Sequence, residues 1–207
     1  MRKIIYTTGL LLGMTGLTLP ASANTLTQSL TRCDSTFFNE IYHQRATLSR
    51  VAPLTVDHQH RAWFKTPPDG NGTLWFAQPL HELNLTITGY YVQTNNLDAI
   101  NYGKYYFWGL VFKESPQDVL SRLDHLSWSQ AGDEYLSQAM IKANPNSAWE
   151  RNAQAVSDIA PAKESTEKLL LLSKGKQGTL LPCSVQGNVT PDMLVTLRPD
   201  LTAEAAK

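Results

Sequence analysis

The 207-residue sequence is short of several things, and each shortage excludes something. It has two cysteines, Cys33 and Cys183, and 17% charged residues, with eighteen basic against eighteen acidic side chains. So even a balance provides no surface for neutralising phosphates, and nucleic acid is not an expected partner. Spanning a membrane takes about 20 consecutive apolar residues. Past residue 23 no apolar run, Leu169 to Leu172 included, exceeds strand length. The chain also lacks a basic amphipathic helix that would attach it to a membrane surface.

Catalytic signatures are missing as well. There is no G-x-S-x-G elbow, no H-E-x-x-H and no C-x-x-C. Gly70-Asn71-Gly72 sits in a turn between expected strands and does not open a helix, so it makes no phosphate cradle. Internal repeats, low-complexity segments and Pro/Gly linkers between two cores are absent too.

The N-terminus has the three parts of a secretory leader. Arg2 and Lys3 give a positive start, Ile4 to Leu19 form an apolar run, and Pro20-Ala21-Ser22-Ala23 supplies small side chains for a signal peptidase. Cleavage is expected between Ala23 and Asn24. Residues 1–23 then leave, 24–200 form one globular domain, and 201–207 trail as a flexible tail. Losing Arg2 and Lys3 leaves sixteen basic against eighteen acidic residues. Arg32 before Cys33 is wrong for a lipoprotein site, so the exported chain is expected free in the periplasm or outside the cell, with no membrane insertion after cleavage.

In that oxidising compartment, two cysteines with one possible connectivity read as a Cys33–Cys183 disulfide. From Asp34, the spacing of Phe37, Phe38, Ile41, Tyr42 and Leu48 predicts an amphipathic helix that Pro53 ends. Arg61–Lys65 and Thr73–Ala77 flank a dense turn signal and read as a hairpin. Alternation over 83–91 describes a strand with Tyr90 on its wetter side, and 105–112, apolar on both faces, reads as a central strand. Ser115-Pro116-Gln117-Asp118 starts a helix to about 126, and 133–142 has helical spacing. Strands at 168–172 and 179–185 follow. The expected fold is α+β, a mainly antiparallel sheet of about five or six strands with helices on one face and one disulfide.

Candidate chemistry is thin. Asp57-His58-Gln59-His60 places two imidazoles at i and i+2 beside a carboxylate, so His58 and His60 make a metal site the rival reading; His43, His81 or His125 would have to add a third ligand. Glu40, Glu82, Asp98 and Glu114 are candidates for a dispersed hydrolase site by residue type alone. The unusual feature is aromatic: Tyr90, Tyr91, Tyr102, Tyr105, Tyr106, Phe107 and Trp108 crowd two strands and a loop. Tyrosines exposed at a sheet end can anchor a partner, and Tyr90 and Tyr102 are the expected binding residues. The sequence thus implies a non-enzymatic binding protein without a cofactor, its partner a periplasmic or envelope protein. An envelope hydrolase or a small metal-binding protein is the alternative.

Overall fold

The computed structural model describes residues 24–66, 70–156 and 160–204, the last three by backbone alone. The expected leader lies outside the described residues. In chain order the elements are α1 (Leu26–Leu30), α2 (Thr36–His43), α3 (Arg45–Leu48), β1 (Leu54–Val56), β2 (Ala62–Phe64), β3 (Gly72–Glu82), β4 (Leu85–Asn96) and β5 (Lys104–Phe112). Then come α4 (Pro116–Arg122), β6 (Ser129–Ala131), β7 (Glu134–Lys142), β8 (Glu150–Arg151), β9 (Thr166–Gly175), β10 (Gly178–Gly187), α5 (Pro191–Leu197) and α6 (Pro199–Glu204). The fold is α+β. Eight strands form one antiparallel sheet in the order β3-β4-β5-β10-β9-β7-β6, with β8 also on β7, and β1 and β2 pair separately.

Local chemistry accounts for the anchoring elements. Ser115 and Asp118 form a reciprocal capping box with Pro116 in the first turn, and this starts α4 as expected. Thr25 caps α1 in the same way, and the Glu82 carboxylate accepts the N–H groups of Leu26 and Thr27, each at 2.9 Å. This fastens the N-terminal helix to the β3–β4 hairpin, whose turn is Leu83-Asn84, both at positive φ (54° and 58°). That is the turn type whose twist suits a two-residue hairpin. The disulfide is present: Cys33 and Cys183 are bonded with Cα atoms 5.3 Å apart, tying the turn after α1 to the middle of β10.

Burial divides the large sheet into two faces. Register aligns Val92, Trp108, Cys183 and Leu170 across β4, β5, β10 and β9, all at most 2% exposed. They share one core with Leu26, Leu30, Phe37 and Ile41 of the N-terminal helices, Val119 of α4 and Leu197 of α5. The opposite face carries Tyr91, Phe107, Leu171 and Leu180, all partly exposed.

Several expectations are corrected. The sheet is larger than five or six strands because 133–142, expected as a helix, is the strand β7, with β6 and β8 paired to it. β2 does not pair with β3; its partner is β1, across the Asp57–Arg61 turn. Residues 201–204, placed in the tail, belong to α6, and 205–207 lie outside the described residues.

Tyr90 is corrected too. It is fully buried, stacked on Phe37 at 5.9 Å and packed against Phe64 at 5.2 Å. The cause is a bulge. Ile87 pairs with Phe112, but Gly89 pairs with Val111, so β4 has one residue more than β5 between them. The extra residue reverses which face every later side chain takes. Leu85 and Ile87 point into the core before the bulge, Tyr90 and Val92 after it. Tyr90 is therefore no surface anchor.

Candidate functional site

On the face away from the N-terminal helices, strand register sets the side chains in rows. Tyr91, Gly109 and Pro182 form one; Gln93, Phe107, Ser184 and Leu169 the next; Asn95, Tyr105, Gln186 and Glu167 the third. The middle of the first row is low, since Gly109 has no side chain and a Cβ there would lie 2.2 Å from the Leu181 carbonyl oxygen. Pro182 interrupts the ladder to β9 between Leu180↔Ser173 and Cys183↔Leu170, as a residue without an N–H must. Above these rows lies a cavity of 670 Å³, within the range of small-molecule sites. Tyr102 and Val156 stand at its rim, 54% and 47% exposed.

Two hydrogen-bond relays run along its floor. The Tyr91 hydroxyl donates to Gln93 Oε1, and Gln93 Nε2 to Asn95 Oδ1 at 3.2 Å. The Ser184 hydroxyl donates to Gln186 Oε1 at 2.9 Å, and Gln186 Nε2 to Glu167 at 2.8 Å. Asn152 Nδ2 reaches the other Glu167 oxygen at 2.5 Å. Burial pushes the Glu167 carboxyl above its ordinary range, with these two amide donors working the other way. Burial likewise raises the Tyr91 phenol, and burial, then the Glu167 charge, raises that of Tyr105. Both phenols stay protonated donors at neutral pH.

Among the described residues no Lys, Arg or His lines the cavity. Glu134 is the one carboxylate among the described lining residues, and Glu167 of the third row is far from it. Glu134 adjoins Tyr135, which pairs with Leu172, whereas Glu167 sits six residues before Ser173 on β9. At about 3.3 Å per residue that is roughly 20 Å, against about 5–9.5 Å for the carboxyl pair of a glycosidase. A wider depression of 1080 Å³ near α4 mixes Lys113, Lys174 and Lys176 with Glu114, Asp133 and Glu134, and Tyr135 is its one aromatic residue.

The structure scatters the other candidates. Glu82 caps α1, Glu114 accepts the Thr86 N–H at 2.9 Å, Glu40 holds Gln44 Nε2 at 2.8 Å, and Asp98 pairs with Lys104 at 3.7 Å. His58 and His60 lie in the β1–β2 turn, where the His60 ring is 5.1 Å from that of Tyr42. Asp57 is committed to Arg61 through an ion pair at 2.7 Å and accepts the Arg61 and Gln59 N–H groups. Burial opposes its charge, but the Arg61 contacts prevail and hold the carboxyl below its usual range. Among the described residues no group of three or more His, Cys, Asp or Glu is placed to hold a metal ion. No helix among them is long and apolar enough to cross a membrane.

One polar pair escaped the sequence reading. Arg198, 2% exposed, donates from Nε and Nη2 to the Asp200 carboxylate at 2.9 and 2.7 Å and from Nη1 to the Phe107 carbonyl, its guanidinium 5.3 Å from the Trp108 ring centre. A signal existed: Thr190-Pro191-Asp192 repeats the hydroxyl, proline and acid start seen before α4, and Thr190 does cap α5.

Fold and site together define an α+β protein whose antiparallel sheet has a helix-packed face and a cleft-bearing face. Comparison with protein-family models, with curated proteins and with solved structures finds no match.

Proposed function

We propose that this is a secreted or periplasmic binding protein without catalytic activity, and that its ligand occupies the cleft over Tyr91, Tyr105 and Phe107. The observation that carries this reading is the cleft lining: aromatic side chains and uncharged amides converge on a cavity of 670 Å³ with no cation among the described residues that line it. Pockets of this kind, largely apolar with a few placed polar groups, suit ligand binding. The absence of a close carboxyl pair among the described residues of the cleft, and the engagement of Glu40, Glu82, Asp98 and Glu114 elsewhere, support binding over hydrolysis. The disulfide supports an oxidising compartment. Intact mass of exported protein tests the leader: the first residue is expected to be Asn24.

A protein partner is the second reading, favoured by Tyr102 and Val156, which leave apolar surface at the rim. The site itself is tested by hydrogen exchange on the protein with material it captures from a periplasmic extract. Slowed exchange in β4, β5 and the 97–103 loop is expected. Protection confined to β1, β2 or the α4 end of the sheet would refute the cleft as the site.

A further inference from the structure

We infer that the ligand is an uncharged, N-acetylated sugar chain; this rests on the cleft reading and specifies its chemistry. Among the described residues no cation lines the cleft while Glu134 does, and Glu167, 2% exposed, lies behind the lining, bonded to Gln186. An anionic ligand would meet the Glu134 carboxylate with no compensating charge among the described lining residues, which a low-dielectric pocket penalises.

Hydrogen bonding then narrows the neutral ligands. A side-chain amide has two donor hydrogens and two acceptor sites, and a hydroxyl one and two. Gln93 spends one donor and one acceptor in its relay, and Asn95 accepts once. What remains is a row of groups able both to give and to take, which is what hydroxyl-rich ligands require. The Tyr105 and Phe107 rings stand 6.4 Å apart and 21° from parallel, so they present flat surface of the kind on which the C–H face of a pyranose lies.

Leu171, Leu180 and Pro182 face the cavity across from the amides. A plain hexose would leave that wall wet, whereas an acetamido methyl covers apolar carbon and its amide matches Gln93 and Asn95. One lining thus supplies stacking rings, amide partners and an apolar wall.

Calorimetric titration of the disulfide-bonded mature protein tests this with three tetrasaccharides: the N-acetylglucosamine tetramer, its fully deacetylated form and cellotetraose. Saturable binding of the first, at least tenfold tighter than of either other, is expected. Circular dichroism and the urea midpoint of each variant check folding. Gln93→Ala and Tyr105→Ala should each weaken binding about tenfold, while Trp75→Ala on edge strand β3 leaves it unchanged. Equal binding of cellotetraose, binding unaffected by Gln93→Ala and Tyr105→Ala together, or no binding of the acetylated tetramer would each overturn the sugar assignment. If the acetylated tetramer does not bind but a captured protein protects β4 and β5, the sugar assignment fails and the cleft reading survives.

Discussion

Asp200→Ala should destabilise the protein severely, although it lies only seven residues from the C-terminus. The carboxylate is 7% exposed and takes two parallel hydrogen bonds from Arg198, itself 2% exposed against Trp108. Burial opposes the guanidinium charge, and the Asp200 carboxylate more than offsets it, raising the Arg198 pKa above its ordinary value. Removing the acid leaves a charge that can neither ionise away nor reach water. Two hydrogen bonds to charged groups at about 1.5–3 kcal/mol each give roughly 3–6 kcal/mol, in line with about 3–5 kcal/mol for breaking a buried ion pair. At about 2–4 °C per kcal/mol for a chain of this size, a loss of about 3–5 kcal/mol should lower Tm by roughly 6–20 °C. Arg198→Met combined with Asp200→Leu removes both charges and should recover most of the loss. Urea unfolding with the disulfide intact reads all three proteins. A loss below about 1 kcal/mol for Asp200→Ala, or a double variant no better than the single, would refute the claim that α5 and α6 are docked through this pair.

Tyr90→Phe should be neutral or stabilising by about 1 kcal/mol, because the buried hydroxyl has no partner among the described residues, while Tyr90→Ala should cost about 3–5 kcal/mol; equal losses in the two, by urea midpoint, would count against the buried placement. Denatured, unreduced protein should show no free thiol, and Cys33→Ser with Cys183→Ser should lower stability by on the order of 5 kcal/mol, the chain-entropy value for a loop of about 150 residues; two reactive thiols would defeat the bridge. Glu167 has a raised folded pKa, so the folded chain holds its proton above the unfolded value near 4.5, and this group's contribution declines as pH rises through the interval between the two; the wild-type minus Glu167→Gln stability difference, measured from pH 4 to 7, should therefore fall with pH, and a rising difference would reverse the assignment.

Elements with a local cause were legible in the sequence. Ser115-Pro116 announces α4 through atoms within one turn, and 105–112 announces a central strand because both of its faces meet other side chains. The disulfide followed from count and compartment, needing no geometry. The cleft was legible in composition only. Tyr91, Tyr105 and Phe107 form an aromatic cluster in the sequence, but Gln93, Asn95, Gln186 and Glu167 join them only through the register of four strands. Pairing among strands far apart in the chain leaves no periodic trace in any one of them.

Both large misreadings share one physical origin. In β7, Ser137 pairs with Leu170 and Met140 with Lys168, one residue too many, and Gln138 takes a φ of 54°. The apolar set Tyr135, Leu136, Ala139 and Met140 then has the spacing of a helix while belonging to a strand, because an inserted residue turns a period of two into something near four. In β4 the insertion before Gly89 sends Tyr90 into the core and brings Tyr91, Gln93 and Asn95 to the other face. Had β4 continued its first alternation, Tyr90 would have stood over the cleft and Tyr91 beneath the helices. The bulge that defeated the sequence reading therefore also builds the first relay, Tyr91 to Gln93 to Asn95, on which ligand binding depends in the reading proposed above.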